Sequence, residues 1–181
     1  IGSLNIRSAK RKAALIHDII TDHKIDILAL QETWIKPNTP PAIAQDIAPP
    51  GFDVQHVIRP LVAGGPTRGG GLAIIFRDYF KVRSVNFHFQ PTSFQFQSLL
   101  ISSANPPVLL VNIYQPLSPP KSTFYDELSS LLASIAAESS ASLVLCGDVN
   151  CHGTDDRSVN AHLDDVFVSC NLQQLVHEPT S

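Results

Sequence analysis

Hydrophobic positions along the chain follow two rhythms. Leu4–Ile6 opens a strand. Residues 9–23 then place Leu15, Ile16, Ile19 and Ile20 on one helical face, with Lys10, Arg11, Lys12 and Asp18 elsewhere, and Ser8 is the expected N-cap. Ile25–Leu30 is a continuous apolar run of the kind a buried strand needs. Residues 37–51 are rich in proline and read as loop. Phe52–Val57 alternates, and the turn-forming stretch Gly64–Gly71 leads into a strand at Leu72–Phe76. Val82–Phe89, Phe94–Ser102 and Val108–Tyr114 add three more strands. No helical spacing interrupts residues 52–114, so antiparallel strands joined by hairpins are expected there. Beyond Pro116–Pro120 the period changes: Phe124, Leu128, Leu131, Leu132 and Ile135 mark an amphipathic helix. Leu143–Cys146 is a strand. Ser158 is expected to cap a last helix carrying Leu163, Val166, Phe167 and Cys170, with Asn171 at its exit. The order predicts an α/β sandwich, two packed sheets with helices outside.

Polar residues stand at the C-terminal ends of these apolar runs: Asn5, Glu32, Tyr114, and Asp148 with Asn150. Strand ends of layered α/β folds open into the crevice where ligands bind. Glu32 reads either as a carboxylate for a hard cation or as a surface residue capping the next turn. Asp148 and Asn150, two apart in an extended segment, are expected to point the same way. They suit activation of a water and donation to a phosphate oxygen, or a simple Asx-turn. Tyr114 can donate to a phosphate or merely pack, and Asn5 can orient a ligand or make a turn. Arg7, Lys10, Arg11 and Lys12 fit a phosphate backbone or a solvated helix face equally. The three glycines Gly69–Gly71 lack the sequence of a phosphate-binding loop, and a tight approach into the next strand is the simpler explanation.

Composition changes this picture in three places. Apolar residues make up 44% of 181, a globular composition, and no apolar run is long enough to span a membrane. Cys146, Cys151 and Cys170 show no metal-ligand or disulfide spacing, and the seven histidines are scattered, His152 alone lying just after the Asp148 segment. The net charge of −3 gives no general attraction to nucleic acid, but residues 1–100 hold 11 Lys and Arg against 7 Asp and Glu, and residues 101–181 hold 2 against 9. A basic phosphate-tracking half beside an acidic cation-binding half would produce that split. The chain contains no methionine and reads as a segment of a longer protein.

Five segments occur in a recognisable order: LNIRS at 4–8, QETW at 31–34, RGGGLAIIFR at 68–77, NIYQPLSPP at 112–120 and LCGDVN at 145–150. Together they resemble the endonuclease/exonuclease/phosphatase superfamily. They look most like the apurinic-endonuclease-like domain of LINE-type (non-LTR) retrotransposon polyproteins. The resemblance implies a four-layered α/β sandwich with mostly antiparallel sheets. It implies Mg2+ or Mn2+ held by Glu32 with help from Asn5, a scissile phosphate contacted by Tyr114, a water aligned by Asp148, and a phosphate held by Asn150. DNA contacts from Arg7, Lys10 and Arg68 are expected with it. The implied reaction nicks DNA and leaves a 3′-hydroxyl that primes reverse transcription. The implied partners are DNA, a reverse transcriptase domain and element RNA, in the nucleus and away from membranes. The family runs on past the segment matching Leu175–Thr180 to strands ending in a Ser-Asp-His motif. On this resemblance the chain is a single domain truncated at both ends, notably the C-terminal one, and a weak or inactive nuclease by itself. Phe96-Gln97 departs from the family's Phe-Glu. The competing expectations are an abasic-site repair nuclease or phosphatase of the same superfamily, and a non-catalytic retroelement remnant.

Overall fold

A computed structural model describes residues 1–59, 69–116, 121–150 and 161–176. Arg68, His152, Ser158 and residues 177–181 lie outside the described residues. The described elements are, in chain order, β1 (Gly2–Asn5), α1 (Ala13–Asp22), β2 (Ile27–Gln31), α2 (Pro41–Gln45), β3 (Phe52–Val57), β4 (Leu72–Arg77), β5 (Val82–Ser84), β6 (Gln95–Ile101), β7 (Val108–Tyr114), α3 (Lys121–Glu138), β8 (Ser142–Asp148) and α4 (Ala161–Ser169). They form two four-stranded sheets, ordered β1-β2-β4-β3 and β5-β6-β7-β8. Each sheet holds one parallel pair, β1 with β2 and β7 with β8, and its other pairs are antiparallel. The α/β sandwich with mostly antiparallel sheets is therefore the observed fold class.

The chain divides into two compact units. The first comprises Ile1–Asn86, Gln95–Tyr114 and Ala141–Asp148 and contains both sheets. Side-chain alternation explains its packing. In β2, Leu28 and Leu30 join Ile16 and Ile20 of α1 in one buried cluster, while Ile27 and Ala29 turn the other way into a second. β4 does the same, with Ala73 and Ile75 on the helix side and Ile74 and Phe76 on the other. The second cluster also contains Leu99, Ile101 and Leu110 of the other sheet, so it is the seam between the sheets. Covered on both faces, β2 and β4 must read as unbroken apolar runs, whereas β3 at the sheet edge alternates.

Buried polar side chains cross this seam as well. Gln31 Nε2 donates to Asn112 Oδ1 at 2.7 Å and to Ser3 Oγ at 3.1 Å, and Asn112 Nδ2 donates to the Leu30 carbonyl at 3.1 Å. Gln31 and Asn112 are 1% and 0% exposed, so desolvating them is offset only because these bonds are made. The pair ties β2 to β7 one residue before Glu32 and two before Tyr114. Gln97, where the resemblance leads to an expectation of Glu, is also buried, and its amide donates to the Gln55 carbonyl at 2.9 Å, a bond that a carboxylate cannot make.

Several local expectations change. Ser8 does not cap α1. It has φ 81°, the helix starts at Ala13 after Lys12, and no side chain caps it. The peptide groups of residues 8 and 9 bond to the exit of β2 instead. The proline-rich stretch contains the short helix α2, with Pro41 at its first position, where a missing N–H is tolerated. The strand expected over Val82–Phe89 pairs only through Ser84, and residues 87–94 belong to the second unit. Asn171 does end α4: at φ 55° it forms a Schellman exit, with Leu172 N–H donating to the Phe167 carbonyl at 2.8 Å.

The second unit comprises Phe87–Phe94, Gln115–Ser140 and Val149–Ser181. Phe94 meets Phe124 edge-on, at 5.5 Å between ring centroids. Glu127 of α3 pins the segment before β6, accepting from Thr92 N at 3.0 Å, Thr92 Oγ1 at 2.7 Å, Ser93 N at 2.8 Å and Ser93 Oγ at 2.5 Å. Partial burial pushes this carboxyl up, but the bonds from Ser93 and Thr92 outweigh it and hold its pKa at about 2. A folded pKa below the unfolded value gives stability that is present above the unfolded value and fades as pH falls toward the folded one. Glu127→Gln is expected to lower stability at pH 7 by about 1–2 kcal/mol, discounted for solvent exposure. The gap to wild type should close as pH drops from the ordinary carboxyl range toward about 2. Urea unfolding of both proteins across that window checks this, and a pH-independent gap would contradict it.

Candidate active site

The seam also explains how the strand-end residues meet. By alternation Ser3 and Asn5 of β1, Gln31 of β2, Asn112 and Tyr114 of β7, and Asp148 of β8 all turn toward the seam. The registers Asn5↔Gln31 and Tyr114↔Asp148 end both parallel pairs together. Asn5 Nδ2 donates to Asp148 Oδ2 at 2.7 Å, across 143 residues of sequence. The Asn5 Oδ1 accepts the Arg7 N–H at 3.1 Å, so the amide is held at both ends.

Glu32 breaks the alternation. A regular strand would send its side chain to the helix side with Leu28 and Leu30. Its φ of 57° turns the chain instead, and the Tyr114 hydroxyl donates to Glu32 Oε1. Four backbone bonds hold that left-handed turn. Ser8 N–H donates to the Glu32 carbonyl at 2.7 Å and Ala9 N–H to that of Thr33 at 2.8 Å, while Thr33 and Trp34 N–H donate to the Gly71 and Gly70 carbonyls at 3.0 Å each. Gly71 has φ 84°, and a Cβ there would stand 2.7 Å from Thr33 Oγ1, so the tight approach expected of the glycine run is what it provides.

Tyr114 is 6% exposed. Burial raises its pKa, the hydrogen bond to Glu32 and the charges of Glu32 and Asp148 raise it further, and Arg59 opposes them. The phenol therefore stays protonated in the physiological range and acts as a donor, not as a phenolate nucleophile.

The side chains at this corner offer oxygen donors: the Glu32 and Asp148 carboxylates and the Asn5 amide. Among the described residues no three His, Cys, Asp or Glu side chains form a group that could hold a metal. One or two carboxylates with open positions fit a hard divalent ion that keeps water or phosphate oxygens as its other ligands. They do not fit a closed zinc cage. Asn5 is engaged with Asp148 and Arg7, which leaves Glu32 as the better-placed ligand and Asn5 as the residue that orients Asp148.

Asn5, Glu32, Tyr114 and Asp148 are thus brought together in the first unit. Asn150 belongs to the second. β8 ends at Asp148 and Asn150 has φ 48°, so the extended segment that would put both side chains on one face does not reach it, and its Nδ2 donates to the Gln115 carbonyl at 2.6 Å. Arg7 and Lys10 are exposed beside β1, whereas Lys12 turns inward, its Nζ donating to the Ile6 carbonyl at 2.6 Å. Sequence reasoning missed two residues. Gln95, opposite Tyr114, accepts the Gly71 N–H at 2.9 Å. Arg59, at the exit of β3, reaches the same corner. No motif marks either; only the glycine run hinted that something packs tightly there.

With that geometry in place, the chain belongs to the Endonuclease/Exonuclease/phosphatase family, whose model matches residues 2–169. Its fold is shared with solved structures of low sequence identity. The endonuclease domain of TRAS1, a telomere-specific non-LTR retrotransposon, superposes with a TM-score of 0.66 at 14% identity, covering 98% of this chain and 73% of that one. An AP endonuclease from Archaeoglobus fulgidus gives 0.64 at 17% identity, covering 93% and 68%. A 3′-5′ exonuclease from Neisseria meningitidis gives 0.61 at 19%, covering 93% and 69%. The chain thus spans about two thirds to three quarters of the length of these structures. No curated protein matches it in sequence. Among the described residues no helix is long and apolar enough to cross a membrane.

Proposed function

We propose that this chain carries the metal- and phosphate-handling half of a DNA-nicking phosphodiesterase of a LINE-type retroelement, active in the nucleus beside a reverse transcriptase and the element's RNA. The observation that carries the reading is the meeting of Glu32, Tyr114, Asn5 and Asp148 at one corner of the seam. The five ordered motifs and the fold shared with a retrotransposon endonuclease domain support the retroelement branch.

In this reading Glu32 holds Mg2+ or Mn2+, which when bound neutralises charge developing on the phosphate. Asp148, oriented by Asn5, accepts the proton of a water that attacks phosphorus. The P–O3′ bond breaks, O3′ takes up a proton, and a 3′-hydroxyl and a 5′-phosphate remain. Tyr114 donates to a phosphate oxygen when substrate displaces its bond to Glu32. The reading does not draw on Asn150.

Manganese titration calorimetry and single-turnover nicking of supercoiled plasmid, both on the 181-residue chain, test it. Wild type is expected to bind Mn2+ and to nick only slowly, and Glu32→Gln to weaken that binding at least tenfold and remove the metal-dependent nicking. Mn2+ binding and nicking that are indifferent to Glu32→Gln would sink the proposal. Faster cutting of abasic than of intact duplex, or faster hydrolysis of a soluble phosphomonoester, would favour the repair-nuclease or phosphatase branch instead.

A further inference from the structure

Arg59 is a basic side chain held at the active corner with no hydrogen-bond acceptor among the described residues. It is partly buried, yet its guanidinium makes no hydrogen bond or ion pair with any described residue. Its stem is fixed by the glycine run. A Cβ on Gly70 would stand 2.7 Å from Arg59 Cδ and 3.4 Å from Arg59 Cβ, so only glycine lets the arginine lie there. Its head lies toward Glu32, since a Cβ on Gly69 would stand 3.8 Å from Arg59 Nη1 and 4.0 Å from Glu32 Oε1. The Cβ direction of Gly70 also leads to Gln95 Oε1 at 2.8 Å, and Gln95 is the register partner of Tyr114. Arg59 therefore lies beside the hydrogen-bonded pair of Glu32 and Tyr114, and its charge reaches the Tyr114 phenol.

A guanidinium offers five donors in a planar fork, and leaving it partly desolvated without an acceptor is unfavourable. Glu32 is near but does not pair with it, and Glu32 already accepts from Tyr114. An anion arriving from outside satisfies the geometry, and a phosphodiester presents two oxygens that match the fork.

We propose that Arg59 grips a phosphodiester of the DNA strand at this corner, as a substrate-positioning residue beside the metal ligand Glu32. The proposal rests on the DNA reading above. Gly69 and Gly70 then serve to admit the arginine stem, not to bind phosphate through their own amides.

Fluorescence anisotropy of a short duplex oligonucleotide with the 181-residue chain, in EDTA and across a salt series, tests it without needing turnover. Arg59→Gln is expected to weaken binding by about tenfold or more. The slope of log affinity against log salt should fall by roughly one. Arg59→Lys keeps the charge, so the slope should persist while the contribution of the fork to affinity is lost. A side chain that only packed would alter the melting midpoint and leave the slope alone. Should Arg59→Gln not fold, Arg59→Lys carries the test through its affinity loss at unchanged slope. Unchanged affinity and slope in the variants, with salt-dependent binding by wild type, overturns the role of Arg59 alone. No salt-dependent binding by wild type overturns the DNA reading and this inference with it.

Discussion

Gly147→Ala is expected to remove β8 from its sheet and to cost about 4 kcal/mol or more, in the range reserved for severe backbone conflicts. Gly147 has φ 135°, and a Cβ there would collide with the backbone of Ile113, its register partner on β7, at the carbonyl oxygen, at N (2.6 Å) and at C (2.8 Å). The obstacle is main chain buried inside a strand pair, so no rotamer change can make room. Because Tyr114↔Asp148 is the next step of the same ladder, the substitution displaces the strand that presents Asp148. Urea unfolding followed by circular dichroism should show a much lower midpoint, or no cooperative transition. A midpoint equal to that of wild type would show that β7 and β8 do not approach this closely.

That glycine shows why parts of this site could be read from the residues alone and parts could not. Asn5, Tyr114 and Asp148 were legible because each ends an apolar run, and alternation along those runs sends them to one side. Glu32 was legible by position but for an incomplete reason, since its side chain reaches Tyr114 only through the left-handed turn at φ 57°. That turn depends on backbone bonds from residues 8, 9, 33 and 34, contacts that no local pattern announces. Asn150 shows the opposite limit: the extended reading stopped holding one residue after the strand did. Gln31 and Asn112 left a trace, as polar residues inside otherwise apolar strands, but which of them would meet depends on sheet order. Arg59 left none. Its place is set by the glycine run just before β4, where glycine permits a stem to lie against backbone. Fold class survives such gaps because it needs only the rhythm of apolar positions, whereas site geometry needs the turns between them.

Asp148→Asn is expected to reduce metal-dependent phosphodiester cleavage by about a hundredfold to ten-thousandfold, the usual contribution of a positioned general base, while leaving the melting midpoint close to wild type. The asparagine keeps the shape of the side chain and an oxygen that can still accept from Asn5 Nδ2, so the bond between β1 and β8 can persist. What it loses is the ability to take a proton. Asn5→Ala should also slow cleavage, because in the proposed reaction Asn5 acts through Asp148: without that 2.7 Å bond the carboxylate loses a contact that orients it. The two effects then cannot be independent. The double variant Asn5→Ala with Asp148→Asn should be no slower than Asp148→Asn alone, a large departure from additivity of the kind that residues sharing one function show. Single-turnover nicking of supercoiled plasmid in Mn2+ by the four proteins measures this coupling. Strictly additive losses would mean that Asn5 reaches the metal or the phosphate on its own, as its place in the motif first suggested. Wild-type nicking by Asp148→Asn would remove the general base from the proposed reaction altogether.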